Sequence, residues 1–226
     1  LIMQELKGSF VALVTPMKSN GEIDFPALKE LVEWHIESGT HGLVSVGTTG
    51  ESATLNFNDH VKVLEKTISY INNKIVAIAG TGANSTDEAI ELNKAASSIG
   101  YEFALSVTPY YNKPNQLGLE AHYKKIADSS VIKNILYNVP SRTACDLEPE
   151  TVNKLIHHEN IVGIKEAVDD PKRYKALIKM AKNSSEPFYV LSGDDPTYFE
   201  FMKSGGDGVI SVAANVIPAQ VAKIAI

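Results

Sequence analysis

The apolar run IVGIK (161–165) ends on a lysine, the strongest chemical signal in the 226 residues. A lysine that closes an apolar strand is drawn away from water, which disfavours its ammonium form. Lowering its pKa from about 10.4 to about 7 raises the free-amine fraction at neutral pH roughly a thousandfold. A free amine can attack a ketone and form a Schiff base, which then serves as electron sink for making or breaking a C–C bond. Strand alternation predicts Ile161, Gly163 and Lys165 on one face and Val162 and Ile164 on the other, with Gly163 leaving space beneath the lysine. The plainer alternative is that the ammonium reaches solvent or pairs with Glu166.

Such chemistry needs a proton carrier, and no histidine follows any of the apolar runs. Tyr137, Tyr111 and the hydroxyls of Thr48 and Thr49 are the candidates. A strand-end tyrosine is otherwise a core residue with a satisfied hydroxyl. Thr48-Thr49, framed by Gly47 and Gly50, offers hydroxyls and backbone N–H groups together, which suits a small carboxylate and also fits an ordinary turn. Arg142, behind Val139-Pro140, can clamp a carboxylate at two points or stand as a solvated loop arginine. Asp194 and Asp195 would repel phosphate, so the expected substrates carry carboxylates. His157, His158 and Glu159 are adjacent and cannot share a helix face, so no metal is expected.

These residues all follow short apolar runs, and the runs define the scaffold. They are FVALV (10–14), GLVSV (42–46), IVAIA (75–79), FALSV (103–107), NILY (134–137), IVGIK (161–165), FYVLS (188–192) and GVISV (208–212). The spacing is that of a repeated βα unit, and the continuous apolarity says both strand faces are buried. Helix starts lie between them. Asp24 precedes Phe25-Pro26 and a stripe of Leu28, Leu31, Val32 and Ile36. Asp170-Pro171 and Asp195-Pro196 repeat the cap-then-proline pattern, and Ser85 to Glu88 form a capping box. Eight alternations admit a closed (β/α)8 barrel or an open doubly wound sheet. The one candidate dinucleotide turn, Gly80-Thr81-Gly82-Ala83-Asn84-Ser85, has serine where the third glycine belongs. A barrel is expected, with its site at the C-terminal ends of the strands.

Composition narrows the class further. The single Cys145 excludes an intrachain disulfide and a cysteine-built zinc site, and makes the reducing cytoplasm the default compartment. A net charge of −6 without a basic block argues against nucleic acid, and no apolar run is long enough to argue for a membrane span.

In order and register, GSFVALVTPM, HGLVSVGTTGESATL, IAGTGANST, VTPYYNKP, ILYNVPSRT, VGIKEA, LSGDD and GGDGVISVAANV resemble the dihydrodipicolinate synthase family of pyruvate-dependent class I aldolases. The resemblance implies a lyase that condenses pyruvate with L-aspartate 4-semialdehyde on the route to diaminopimelate and lysine, with no metal and no organic cofactor. It implies that Lys165 forms the Schiff base and that Tyr137 is the acid/base. Thr48, Tyr137 and Tyr111 form a proton relay, with Tyr111 reaching a neighbouring subunit. Thr49 holds the pyruvate carboxylate, Arg142 that of the semialdehyde, and the Gly193 and Ile210 backbones line the pocket. A homotetramer, a dimer of dimers, follows from the same resemblance.

Two alternatives accompany it. A sialic-acid or keto-deoxy-sugar-acid lyase resembles the chain in GTTGE, Tyr137 and Lys165, whereas YNVPSRT and TPYYNKP look like the synthase. The family also binds lysine at a subunit interface, at positions resembling Ser52, Ala53, His60, Asn84, Glu88 and Tyr110; Glu88 is equally a capping acid and His60 equally an exposed helix residue. Phe57 stands where lysine-sensitive relatives often carry histidine. A barrel typically needs about 250 residues, so residues 1–226 are expected to form one catalytic barrel whose eighth helix starts near Ile217 and is cut short at Ile226, with the family's C-terminal helical extension absent.

Overall fold

The structure is a computed structural model that describes residues 4–129 and 131–225. Each of the eight apolar runs becomes a strand: β1 (Gly8–Ala12), β2 (Gly42–Ser45), β3 (Val76–Gly80), β4 (Phe103–Val107), β5 (Lys133–Asn138), β6 (Ile161–Glu166), β7 (Tyr189–Ser192) and β8 (Gly208–Ser211). Neighbours in sequence pair in parallel, and β1 closes on β8 through Gly8–Gly208 and Phe10–Ile210. That closure selects the (β/α)8 barrel over the doubly wound sheet.

The helices are α1 (Phe25–Glu37), α2 (Phe57–Ile71), α3 (Thr86–Ile99), α4 (Gln116–Ala127), α5 (Pro140–Thr143), α6 (Pro149–Leu155), α7 (Pro171–Lys182), α8 (Tyr198–Lys203) and α9 (Pro218–Ile224). Their starts follow local chemistry. Asp24 accepts the Ala27 amide at 3.0 Å and Asp170 that of Lys172 at 2.9 Å, each just ahead of a proline that has no N–H and so needs no acceptor. Ser85 accepts from Glu88 at the head of α3. Ile217 is the N-cap of α9, while Leu1 and Ile226 lie outside the described residues.

Alternate side chains divide between two cores. Phe10, Val44, Ile78, Phe103, Ile135 and Ile210 fill the barrel, while Val11, Leu43, Leu136, Ile164 and Val190 face the helices. Each fully buried side chain of this size contributes about 1.5–3 kcal/mol. No helix among the described residues is long and apolar enough to cross a membrane.

Three local expectations are corrected. The β5–β6 ladder slips between Asn134 and Ile135, so Asn134 pairs with Ile161 but Ile135 with Gly163. Ile161 therefore joins the outer core beside Ile164, and Val162 turns into the barrel. A Cβ on Gly163 would lie 2.7 Å from the Tyr189 carbonyl, so this glycine admits the β7 backbone, not the lysine. Asp195 caps no helix: α8 starts at Tyr198 with Thr197 before it, and the Asp195 carboxylate instead accepts the Val212 and Ala213 amides at 3.0 and 2.9 Å.

Candidate active site

Lys165 and Tyr137 are register partners at the C-terminal ends of β6 and β5. Both side chains point into the barrel mouth, and the lysine Nζ lies 3.9 Å from the centre of the Tyr137 ring. Lys165 is only 4% exposed. Room for its side chain comes from Gly193 after β7, where a Cβ would stand 2.9 Å from the lysine Cε. Burial pushes the amine down to about 7; the Asp195 carboxylate opposes that shift and the Arg142 guanidinium adds to it. Burial raises the Tyr137 phenol, while Arg142 and a hydrogen bond with the Thr48 hydroxyl act the other way. The alternative pairing of Lys165 with Glu166 is not made, because Glu166 faces the helices and pairs with Arg173 at 2.8 Å.

The Thr48-Thr49 turn is pressed into place from two sides. Val46 takes the left-handed conformation at φ 54°, a strained choice for a β-branched residue. Gly80 of β3 permits it: a Cβ there would lie 2.1 Å from the Val46 carbonyl oxygen. From the other side, the Thr15 hydroxyl donates to the Gly50 carbonyl at 2.7 Å. The turn thus presents Thr48 and Thr49 to the mouth from β2, opposite the lysine.

A cavity of about 370 Å³ opens there, lined by Thr48, Thr49, Tyr137, Arg142, Lys165 and Gly193 among others. That volume suits a small ligand. Arg142 stands on the short helix α5 with its side chain exposed, so the loop expected from sequence is one helical turn. Of the two aspartates after β7, Asp194 lines the cavity, whereas Asp195 is held by the β8 loop. A second cavity of about 330 Å³ adjoins the first, sharing Thr48 and Arg142 and adding Ser52, Ala53 and Tyr110 to its wall.

The remaining residues are less converged. Tyr111 is 90% exposed at φ 75° and lines neither cavity within one chain. Ile210 is buried in the barrel interior. His60 is a buried residue, not an exposed one, and donates through Nε2 to the Gly80 carbonyl at 2.7 Å. Asn84 accepts from the Asn112 amide at 3.4 Å, and Glu88 is exposed near Tyr110, whose phenol is raised by burial and then by the Glu88 charge. The sequence places Asp195 and Glu166 at strand ends but does not show their partners, the β8-loop amides for Asp195 and Arg173 for Glu166. Their partners lie 7 to 18 positions away, beyond the reach of a local pattern.

A buried lysine in a barrel mouth is an arrangement shared by many proteins, and comparison with known proteins narrows it. The 4-hydroxy-tetrahydrodipicolinate synthase of Teredinibacter turnerae is 53% identical over 218 residues, covering 96% of this chain and 74% of that protein. The crystal structure of the chloride-inhibited dihydrodipicolinate synthase from Acinetobacter baumannii complexed with pyruvate has a TM-score of 0.95 at 51% identity, covering 98% of this chain and 75% of that one. A dihydrodipicolinate synthase from Cyanidioschyzon merolae with lysine bound has a TM-score of 0.90 at 36% identity, covering 96% and 73%. The family model described as the dihydrodipicolinate synthetase family matches residues 5–225. The chain belongs to the dihydrodipicolinate synthetase family.

Proposed function

We propose that the cavity at the barrel mouth is where this chain condenses pyruvate with L-aspartate 4-semialdehyde to 4-hydroxy-tetrahydrodipicolinate, the reaction of lysine and diaminopimelate biosynthesis, with Lys165 as the nucleophile. The observation that carries the reading is a buried lysine amine, pushed down to about 7, in a cavity shared with Tyr137, Thr48 and Arg142. The free amine adds to the pyruvate keto carbon and loses water to give the imine. Loss of a methyl proton turns the imine into an enamine, whose carbon attacks the aldehyde and forms the new C–C bond. The substrate's own amine then displaces Lys165 as the ring closes, so the overall balance is the two substrates less one water.

Tyr137 moves the protons, its phenol proton exchanging with the Thr48 hydroxyl and onward with Tyr111 of a neighbouring subunit. Thr49 receives the pyruvate carboxylate. Arg142 receives that of the semialdehyde, because a fork of charged donors at the exposed rim meets an incoming carboxylate best. Gly193 keeps the lysine's path clear and Ile210 floors the pocket. Lys165 itself is the electron sink, so the reading calls for no metal or organic cofactor. The working unit is one barrel domain in a cytoplasmic homotetramer.

Lysine as an inhibitor is a second reading, supported by the way Ser52, Ala53 and Tyr110 wall a cavity next to the catalytic one. His60, Asn84 and Glu88 complete that set, with His60 held by Gly80. Calorimetry with lysine tests this reading, and absence of heat at millimolar lysine would refute it. The catalytic reading is tested by borohydride reduction in the presence of pyruvate followed by peptide mapping. The adduct is expected on Lys165, and an unmodified Lys165 peptide from folded protein would overturn the assignment.

A further inference from the structure

We propose that Arg173, acting through the Glu166 carboxylate, is a positioning residue for Lys165: it holds β5 and β6 in the register that sets the lysine amine against Tyr137. The inference rests on Lys165 being the Schiff-base lysine. Consecutive rungs of the β5–β6 ladder carry the two systems, Tyr137 with Lys165 and then Asn138 with Glu166. Because strand faces alternate, the first rung points into the cavity and the second toward the helices. The ladder is interrupted between Asn134 and Ile135, so the pairing at the start of the two strands does not by itself carry through to the Tyr137–Lys165 rung.

The second rung is pinned from outside. Arg173 of α7 donates Nε to Glu166 at 2.8 Å, Nη1 to Asp146 at 2.9 Å and Nη2 to the Leu147 carbonyl. Asn138 donates its amide to Glu166 at 3.1 Å and to Asp146 at 2.9 Å, and its side-chain oxygen accepts the Leu147 amide at 2.9 Å. The Val168 amide reaches Glu166 at 2.9 Å. The Glu166 side chain is wholly buried, and none of Asn138, Asp146, Glu166 or Arg173 lines the catalytic cavity. One planar guanidinium therefore ties the end of β6 to the chain leaving β5. Lysine could match its charge but not its fork.

The test compares the rate of borohydride-trapped pyruvate adduct in wild type, Arg173→Lys, Arg173→Met and Glu166→Gln/Arg173→Met, at a temperature where circular dichroism shows each fully folded. Both Arg173→Lys and the double variant are expected to form the adduct at Lys165 about 10-fold or more slowly, as for a nucleophile displaced by a fraction of an ångström. Propionate, a carboxylate with no keto group, is expected to bind within about twofold of wild type, since the Thr48-Thr49 turn belongs to β2. The double variant removes both charges of the buried pair, so it regains thermal stability lost in Arg173→Met while staying slow. Wild-type rates in folded Arg173→Lys and in the double variant would overturn the proposal and leave Arg173 a purely stabilising residue. An adduct that maps elsewhere than Lys165 in the wild type would instead remove the catalytic reading on which it rests.

Discussion

On the outer face of the β5–β6 pair, the buried Glu166 packs against the half-buried Arg173 and their polar atoms are matched by Asn138, Asp146, Leu147 and Val168. On the inner face, one rung away, Lys165 is as deeply buried, yet no ion pair among the described residues holds it, and its Nζ lies 3.9 Å from the centre of the Tyr137 ring. Both lie on the same two strands. The difference is in how desolvation is compensated: burial raises the Glu166 carboxyl but Arg173, Val168 and Asn138 oppose that shift, whereas burial pushes the Lys165 amine down to about 7 against only the Asp195 carboxylate. Stability and chemistry are thereby separated by a single alternation of the strand.

Substitutions on the inner face should break the chemistry and spare the fold. Lys165→Ala, which removes the proposed nucleophile, is expected to lower turnover by roughly 10⁴-fold or more and to abolish trapping, read in a coupled assay and by mass. Tyr137→Phe keeps the ring and loses the hydroxyl; kcat should fall about 10²–10⁴-fold with the melting temperature nearly unchanged. Arg142→Ala should act mainly on the second substrate, raising KM for the semialdehyde by roughly 10–100-fold, with a smaller slowing of pyruvate adduct formation because the guanidinium also helps to lower the Lys165 amine. The smallest effect sharpens the packing side of the comparison. Gly193→Ala places a methyl 2.9 Å from the Lys165 Cε, so a modest loss of stability, about 1–3 kcal/mol by denaturant titration, should accompany slower trapping.

The division between the two faces also marks how far sequence could be read. Strands were legible because a buried parallel strand is a run of apolar residues whatever its partner, and α1 because Asp24 and Pro26 set its start locally. The placement of Lys165, Tyr137, Thr48 and Arg142 at one cavity was legible because strand ends follow those runs. The slip at Val162 was not, since register is a property of two strands and the deciding contacts lie on β5 and β7. Nor was the use of Asp195: its sequence neighbour is a proline, which reads as a cap, but the amides that claim its carboxylate are on β8's loop. Glu166 stands next to the lysine in sequence, but its partner is Arg173 on α7, a pairing that depends on how the helix packs against the strand.

Protonation of Lys165 offers the most direct test. An unfolded lysine holds its proton up to about 10.5, and the folded one only to about 7. Between those values the unfolded chain binds more protons, so this group makes the fold more stable as pH rises from about 7 toward 10.5, a slope that Lys165→Met should lose. The same proton governs reactivity. The measurement is the rate of pyruvate adduct formation against pH, trapped with borohydride and mapped to Lys165. A rate that rises with an apparent midpoint near 7, on Lys165, is the expected result; a midpoint near 10.5, or an adduct on another lysine, would contradict the assignment of a desolvated amine as the nucleophile.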